Sequence, residues 1–518
     1  MIQNNLSMKY FYLFLLCFGV WFANTATAQT CANPSQRYKK QVFSRINVTR
    51  DIVYERADKY DPLNINFPVD IKLDFYEPAN DPLQKRPLFI FFFGGAFEIG
   101  AKSDADVVAY CDSLARHGYC CAAVDYRLGF NVASTASAIR AVYRAVQDSR
   151  ASVRFFKEKW NTYKIDTTQI YMGGESAGAI TALHTAYMTN DVNTPNEIHG
   201  SLTEWQDLGC LDCTGDYKKH KVDVKGVVSL WGAVYSLGYM NAQTNVPVAM
   251  IHGTSDFIVP YDQGRPFTGS FPSTFPWVYG SVQMNARLNQ LGIYHEFYPY
   301  QGLSHVFYGL PTGIVTFPNQ YWAGVFSKSR DFLYKVMQHQ TATPTGNLSA
   351  AFGSTATYSV PLKVGSSYCW NVTGGTVLTY SNSGASASIR WNASGSRSIT
   401  LTETDAKLMQ GKPATVTISS TVRMNTRAVA DAANSFAAFP NPLRSGENIN
   451  LSIGTSQADN ATIIIYDWLG KTVRSATQML TKGDNHIEIN TDNLPNGAYI
   501  VRLQTADRNE AVKVVISD

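Results

Sequence analysis

Ile170-Tyr171-Met172-Gly173-Gly174-Glu175-Ser176-Ala177-Gly178-Ala179-Ile180 decides how this chain folds. Its first four residues form a short apolar run suited to a buried strand, and Ala177 to Met188 continues as a helix former. Between them Gly174-Glu175-Ser176-Ala177-Gly178 fits G-x-S-x-G, a strand-to-helix turn too tight for side chains at the two glycine positions. Such a turn lifts the serine hydroxyl above the carboxyl edge of a sheet. A hydroxyl there becomes a nucleophile once a base removes its proton and an acid orients that base.

Working outward, residues 31 to about 340 alternate short apolar runs with helical stretches, the pattern of a mostly parallel sheet covered by helices. The runs Leu88 to Phe93, Cys121 to Tyr126, Ile170 to Gly173, Val224 to Leu230, Val246 to His252 and His295 to Tyr300 read as strands. Several are apolar at successive positions, as burial on both faces requires. Ser137 to Trp160 and Gln283 to Leu291 read as helices.

When the nucleophile sits in such an elbow, the acid and then the histidine follow it in the chain. Asp256 stands just beyond the strand ending at His252, in Gly253-Thr254-Ser255-Asp256, and Asp262 competes from further into the same loop. Of the nine histidines, His305 follows the last strand through the short loop Gln301-Gly302-Leu303-Ser304 and lies downstream of the acid. The candidate catalytic set is therefore Ser176, Asp256 and His305. His252, at a strand end, and His295, within a strand, read as structural.

Attack on a carbonyl also needs donors for the oxygen that becomes negative, and backbone N–H groups in that role contribute about 3 to 4 kcal/mol. The loop Phe93-Gly94-Gly95-Ala96-Phe97 follows a strand, and Gly95 and Ala96 are the expected donors beside the N–H of Ala177. This chemistry calls for no cofactor. A structural zinc site is a poor reading, because Cys210-x-x-Cys213 is the single C-x-x-C and four ligands are wanted.

These motifs together resemble the carboxylesterase and hormone-sensitive-lipase branch of the α/β-hydrolases. Pro87 to Gly100 is similar to that branch's H-G-G-G loop, Asp125-Tyr126-Arg127-Leu128-Gly129 to its tyrosine-arginine-leucine strand end, Gly174 to Gly178 to its G-E-S-A-G elbow, and His252 to Asp256 to its acid loop. Phe93 stands where the branch usually has histidine and Ala96 where it often has glycine, but backbone donors do not depend on either side chain. The resemblance implies an α/β-hydrolase doubly wound, mostly parallel sheet over 29–340 and an ester substrate cleaved through an acyl-enzyme. A serine peptidase on the same scaffold, or a binding protein that keeps the fold without catalysis, are the alternatives.

The ends of the chain carry different signals. Lys9, the apolar stretch Tyr10 to Phe22 and the small residues closing at Ala26-Thr27-Ala28 read as a cleavable secretory signal over 1–28, which leaves no membrane span in the mature chain. One of the eight cysteines, Cys17, falls in that signal, so the mature chain keeps an odd number. At least one thiol then stays unpaired or pairs between chains. Cys210 and Cys213 can close a small disulfide loop, whereas Cys120 and Cys121 open an apolar run and suit burial. A net charge of +4 over 518 residues gives no nucleic-acid footprint.

After Gln340 the composition shifts to Thr, Ser, Gly and Val in short alternating runs, the mark of an all-β module. Residues 341–424 resemble the immunoglobulin-like spacers of secreted bacterial hydrolases, with Trp370 in the sandwich core. A linker is expected at 425–435. Phe439-Pro440-Asn441-Pro442, Leu469-Gly470-Lys471, Leu494-Pro495-Asn496-Gly497-Ala498-Tyr499 and the strand Ala511 to Ile516 make 436–518 similar to the C-terminal sorting domain of type IX secretion substrates, a second small β-sandwich. That resemblance implies the type IX secretion machinery as a partner, and a secreted or cell-surface protein exported through the periplasm of a Gram-negative bacterium. Within the catalytic part, Arg265 to Gly280 is rich in aromatic residues and proline and is a candidate pocket wall; Asp191 to Lys219 is a candidate cap.

Overall fold

Arg86–Phe92 is buried at every position, and as β3 it is a central strand of an eight-stranded sheet. The computed structural model describes residues 36–61, 67–189, 194–200, 206–267, 274–309, 319–393, 395–420 and 435–518. The leader read at 1–28, residues 425–434 of the linker, Trp205 and Phe271 lie outside the described residues.

The other sheet strands are β1 (Ile46–Asp58), β2 (Pro68–Pro78), β4 (Cys120–Val124), β5 (Ile165–Glu175), β6 (Val227–Leu230), β7 (Val248–Gly253) and β10 (His295–Tyr300). The two-residue strands β8 (Gln263–Gly264) and β9 (Val278–Tyr279) pair apart from the sheet. Across the sheet the order is β1-β2-β4-β3-β5-β6-β7-β10. β1 with β2 and β2 with β4 are antiparallel, and every later pair is parallel. This is the α/β-hydrolase fold. Its parallel strands end together at one edge, so the loops after β3, β5, β7 and β10 converge there.

Among the described residues six α-helices accompany the strands: α1 (Ala105–Arg116), α2 (Thr135–Glu158), α3 (Trp160–Tyr163), α4 (Ala177–Tyr187), α5 (Ser281–Leu291) and α6 (Trp322–Met337). Ser134 caps α2 by accepting a hydrogen bond from the Ser137 N–H at 3.1 Å. The segment after 205 is strapped along α2. Arg150 grips Asp212 through two nitrogens at 3.0 and 2.6 Å, Arg154 adds a second ion pair to the same carboxylate, and Gln147 donates to the carbonyls of Leu208 and Cys210. Cys210 and Cys213 form a disulfide, Cys369 is also disulfide-bonded, and Cys111, Cys120 and Cys121 are buried thiols.

The chain forms two compact units, 1–420 and 421–518. The first therefore includes the β-module after Gln340. Two three-stranded sheets, Thr355–Ser359 with Ser386–Trp391 and Gly375–Tyr380, and Ser367–Thr373 with Ser398–Thr404 and Ala414–Thr417, enclose Tyr358, Trp370, Ile389, Trp391 and Leu401. The Trp370 indole N–H donates to the Gly384 carbonyl at 2.8 Å, which satisfies its one polar atom inside the sandwich. The module is docked on the sheet domain: Met409 joins the larger core, Lys407 pairs with Asp166, and the Tyr38 hydroxyl donates to the Lys407 carbonyl at 3.2 Å.

The second unit packs a three-stranded sheet (Phe436–Phe439, Ile449–Thr455, Gly483–Ile489) and a five-stranded one around Leu451, Ile463, Ile465, Val501 and Val514. Its Leu469-Gly470-Lys471 turn joins Asp459–Asp467 to Thr472–Leu480, with Gly470 at φ 79°. No helix among the described residues is long and apolar enough to cross a membrane.

Candidate active site

β5 ends at Glu175 and α4 begins at Ala177, so Ser176 alone makes the turn, at φ 51° and ψ −119°. A non-glycine residue at positive φ is strained and persists only where its surroundings fix it. Here the Ser176 N–H donates to the Leu230 carbonyl of β6 at 3.0 Å. The flanking glycines are required by contact distances. A Cβ on Gly178 would stand 2.1 Å from the Phe92 carbonyl oxygen, and one on Gly174 would stand 2.5 Å from the Gly178 carbonyl carbon.

β7 and β10 run side by side, with Gly253 opposite Tyr300, so the loops that follow them meet beside the elbow. The His305 Nε2 lies 2.9 Å from the Ser176 Oγ, and its Nδ1 lies 2.7 Å from an Asp256 carboxylate oxygen. A carboxylate accepts only, so Nδ1 carries the proton and Nε2 offers its lone pair to the serine hydroxyl. The same carboxylate oxygen is 3.1 Å from the His252 Nε2, and the other accepts the N–H groups of Ile258 and Val259 at 2.9 and 3.0 Å. Since His252 Nε2 also faces the Val259 carbonyl, it too carries a proton, and the Ser281 hydroxyl donates to Nδ1. Asp262 stands elsewhere, accepting a hydrogen bond from the Gln283 amide at 2.7 Å. His295 is held by the Ile293 carbonyl and Asn285.

Burial would raise the Asp256 carboxyl, but hydrogen bonds from His252 and His305, and their charge, outweigh it and hold the group down at about 2, against an ordinary value of 3.8. A carboxyl depressed in this way adds stability above its unfolded pKa and loses it as pH falls through the folded one. The stability difference between wild type and Asp256→Asn should therefore shrink by about 2 kcal/mol between about pH 5 and about pH 2. Chemical denaturation of both proteins across that range measures it, and a constant difference contradicts the assignment of these donors.

The loop after β3 turns through three consecutive positive-φ residues, Gly95 at 111°, Ala96 at 56° and Phe97 at 64°. Gly95 serves as acceptor in that loop, its carbonyl taking the N–H groups of Glu98 and Ile99, each at 3.0 Å. Ala96, Ser176 and Ala177 face one cavity, and Ala177, as the first residue of α4, has no acceptor for its N–H within the helix. The segment Asp125 to Gly129 braces the loop. Tyr126 stacks on Phe93 with centroids 4.4 Å apart, its hydroxyl donates to the Phe93 carbonyl at 2.9 Å, and the Gly129 N–H donates to the Phe97 carbonyl at 2.8 Å. Arg127 is anchored in turn by Asp148, which accepts its backbone N–H at 2.7 Å and its Nε at 2.8 Å.

Three groups that sequence reasoning passed over lie behind the serine. Glu175 and Asp106 are buried, and the Tyr308 hydroxyl, three residues after His305, donates to Glu175 at 3.0 Å and reaches Asp106 at 3.4 Å. Burial first, then the nearby Asp106 charge, push the Glu175 carboxyl well above its usual range. The cluster ties the histidine loop, the elbow and α1 together. Trp231, fully buried at φ 43°, places its ring 6.2 Å from that of His305. Glu175 is the second residue of the G-E-S-A-G elbow, but that motif gives its side chain no role and does not point to Asp106 or Tyr308.

From Ser176 a cavity with almost wholly apolar walls runs between α4 and α2. Pro266, Phe267, Phe275, Pro276 and Val278 of the aromatic segment wall it, whereas Trp277 is 49% exposed. Of the cap segment, Pro195 lines it directly and Gly209 acts indirectly, its carbonyl holding the hydroxyl of the lining Tyr143 at 2.9 Å. Among the described residues no group of His, Cys, Asp and Glu side chains is arranged to hold a metal ion.

Residues 73–241 match the BD-FAE family model, and residues 437–517 match the secretion system C-terminal sorting domain. The chain is 26% identical over 223 residues to the probable isoprenylcysteine alpha-carbonyl methylesterase ICME of Oryza sativa subsp. japonica, an alignment covering 38% of this chain and 50% of that protein. It is 25% identical to the Arabidopsis thaliana isoprenylcysteine alpha-carbonyl methylesterase ICME, covering 38% and 48%. The chain thus spans about half the length of these curated relatives. Among solved structures it is similar to Thermogutta terrifontis esterase 2 phosphorylated by paraoxon, at 20% identity and a TM-score of 0.37, covering 57% of this chain and 95% of that one. It is also similar to a truncated carbohydrate esterase from gut microbiota, at 17% identity and a TM-score of 0.38, covering 57% and 98%.

Proposed function

We propose that this protein is a secreted serine hydrolase that cleaves carboxylic esters through an acyl-enzyme intermediate. The observation that carries the reading is the unbroken hydrogen-bonded line from Asp256 through His305 to Ser176, ending at the mouth of an apolar cavity. The match of 73–241 to BD-FAE, and relatives named as methylesterases, support an ester as the substrate.

In this mechanism Ser176 Oγ attacks the ester carbonyl as its proton passes to His305 Nε2. The N–H groups of Gly95, Ala96 and Ala177 receive the oxyanion, an arrangement of fixed dipoles that needs no reorganisation during attack. Asp256 stabilises the imidazolium without taking its proton. Collapse of the tetrahedral intermediate expels the alcohol, protonated by His305, and leaves an acyl group on Ser176. A water activated by His305 then releases the acid and restores the serine.

We assign 29–340 to catalysis, 341–424 to an immunoglobulin-like module, 425–435 to a linker and 436–518 to sorting. The match of 437–517 to the sorting domain supports export to the surface or medium, with the type IX machinery of a Gram-negative bacterium as partner and a signal at 1–28 directing the first step across the inner membrane. One fractionation experiment tests both activity and route. Cells making the full chain should hydrolyse p-nitrophenyl esters, and not aminoacyl-anilides, at the surface or in the medium. Deleting 436–518 should leave that activity intact but confine it to the periplasm. Anilide cleavage at comparable rates would favour the peptidase, and export of the deleted protein would refute the sorting role.

A further inference from the structure

We infer that the cavity is an acyl-chain ruler built on α4, and that the preferred substrates are esters of unbranched apolar acids of about ten carbons. This rests on the ester hydrolase reading and adds the substrate class. Ser176, Ile180, His184 and Met188 all line the cavity, each one helical turn beyond the last. At 1.5 Å per residue, the His184 turn is about 12 Å from the nucleophile and Met188 about 18 Å. An extended alkyl chain advances about 1.3 Å per carbon, from C–C bonds near 1.5 Å. Roughly nine carbons therefore reach His184, and a few more reach Met188.

The cavity belongs to the acyl side of the ester. The leaving alcohol takes its proton from His305, and His305 is not among the lining residues, whereas Ala96 and Ala177 beside the oxyanion are. The cavity walls, almost wholly apolar, suit a hydrocarbon. Two of the cavity's polar side chains are engaged: His184 Nδ1 donates to the Ile180 carbonyl at 2.8 Å, its Nε2 accepts the Tyr235 N–H at 3.1 Å, and Tyr143 is bound to Gly209. Burial holds the His184 imidazole down at about 4, so the cavity floor is uncharged at neutral pH. At the far end Pro195, Tyr235 and Tyr239 also border a surface groove shared with Asn196, Glu197 and Ser236, where the lining turns polar. That change of lining fixes the length of the apolar path.

Steady-state kcat/KM of the full chain on p-nitrophenyl esters from acetate to palmitate reads the ruler. From acetate to decanoate it should rise by about a hundredfold, short of the roughly fourfold per methylene that complete burial gives, because the chain must also be ordered. Beyond dodecanoate it should fall. Ile180→Trp fills the first turn and should lower the decanoate-to-acetate ratio by about a hundredfold. Met188→Trp, at the far end, should move the optimum to hexanoate or octanoate. A flat or falling profile in the wild type, ratios unchanged in both variants, or a methyl hydroxycinnamate preferred to the decanoate each overturns the ruler. A wild-type protein that hydrolyses no ester at all refutes the ester hydrolase reading instead.

Discussion

Ser176→Ala loses ester hydrolysis by about a millionfold in kcat while the protein stays folded. The size follows from the way the three groups act as a unit: without the hydroxyl there is no covalent intermediate, and neither His305 nor the oxyanion donors can substitute for it. What survives is the smaller acceleration supplied by the donors and by binding. The fold should be retained because alanine keeps the Cβ and the backbone bond to Leu230, and the hydroxyl faces the cavity mouth and His305 rather than the core. Turnover on p-nitrophenyl butyrate, with far-UV circular dichroism as the folding control, measures it. Undiminished turnover in a folded variant removes Ser176 from the mechanism.

Asp256→Asn should lower kcat by about ten-thousand-fold with little change in KM, and Asp262→Asn by about tenfold or less. The contrast lies in the direction of the hydrogen bonds. In Asp256 one oxygen takes the Ile258 and Val259 N–H groups, so an asparagine would keep its carbonyl there and turn its NH2 toward the histidines. His305 Nδ1 would then have to accept, which moves the imidazole proton to Nε2, facing the serine hydroxyl. The base would be spent before the reaction begins. Asp262 meets Gln283 and touches neither histidine, so its amide changes only a surface contact. A reversal of the two effects would make Asp262 the acid.

Much of this arrangement is legible in the sequence because strand ends in a parallel sheet are ordered by the chain. β3, β5, β7 and β10 are marked by apolar runs, and each is followed by a glycine-bearing loop that carries a candidate residue. Strand lengths were less legible. β5 begins at Ile165, five residues before the apolar run, because Ile165-Asp166-Thr167-Thr168-Gln169 has one apolar residue and joins β3 only through Ile165, whereas β4 ends at Val124, before Asp125-Tyr126 turns out to brace the loop after β3. β1 and β2 were not read as strands, although Val69, Ile71, Leu73 and Phe75 of β2 alternate with charged residues. β1 is an edge strand carrying Arg50, Asp51, Glu55, Arg56 and Asp58, and only Tyr54 and Glu55 of its residues are buried, so no apolar face announces it. α1 and α6 were also passed over, although their buried faces recur at helical spacing. In the site, the chain order pointed to Ser176, Asp256 and His305, which the structure brings within hydrogen-bonding distance, with His252 against the same Asp256 carboxylate. The Asp106–Glu175–Tyr308 cluster was not legible, because its members are 202 residues apart at the extreme and the elbow motif that contains Glu175 points to neither of the other two.

The docking of Met409 and Lys407 onto the sheet domain sets where this enzyme can be cut. A chain ended at 340 would uncover the socket of Tyr38, Pro87, Gln169 and Met337 and leave Asp166 without its lysine. A chain ended at 420 keeps all of these contacts and gives up only the sorting unit. For anyone preparing the enzyme in a host without the secretion machinery, the smallest sound piece is the sheet domain with its β-module attached. What composition suggests is a passive spacer is then better regarded as the closing wall of the catalytic unit.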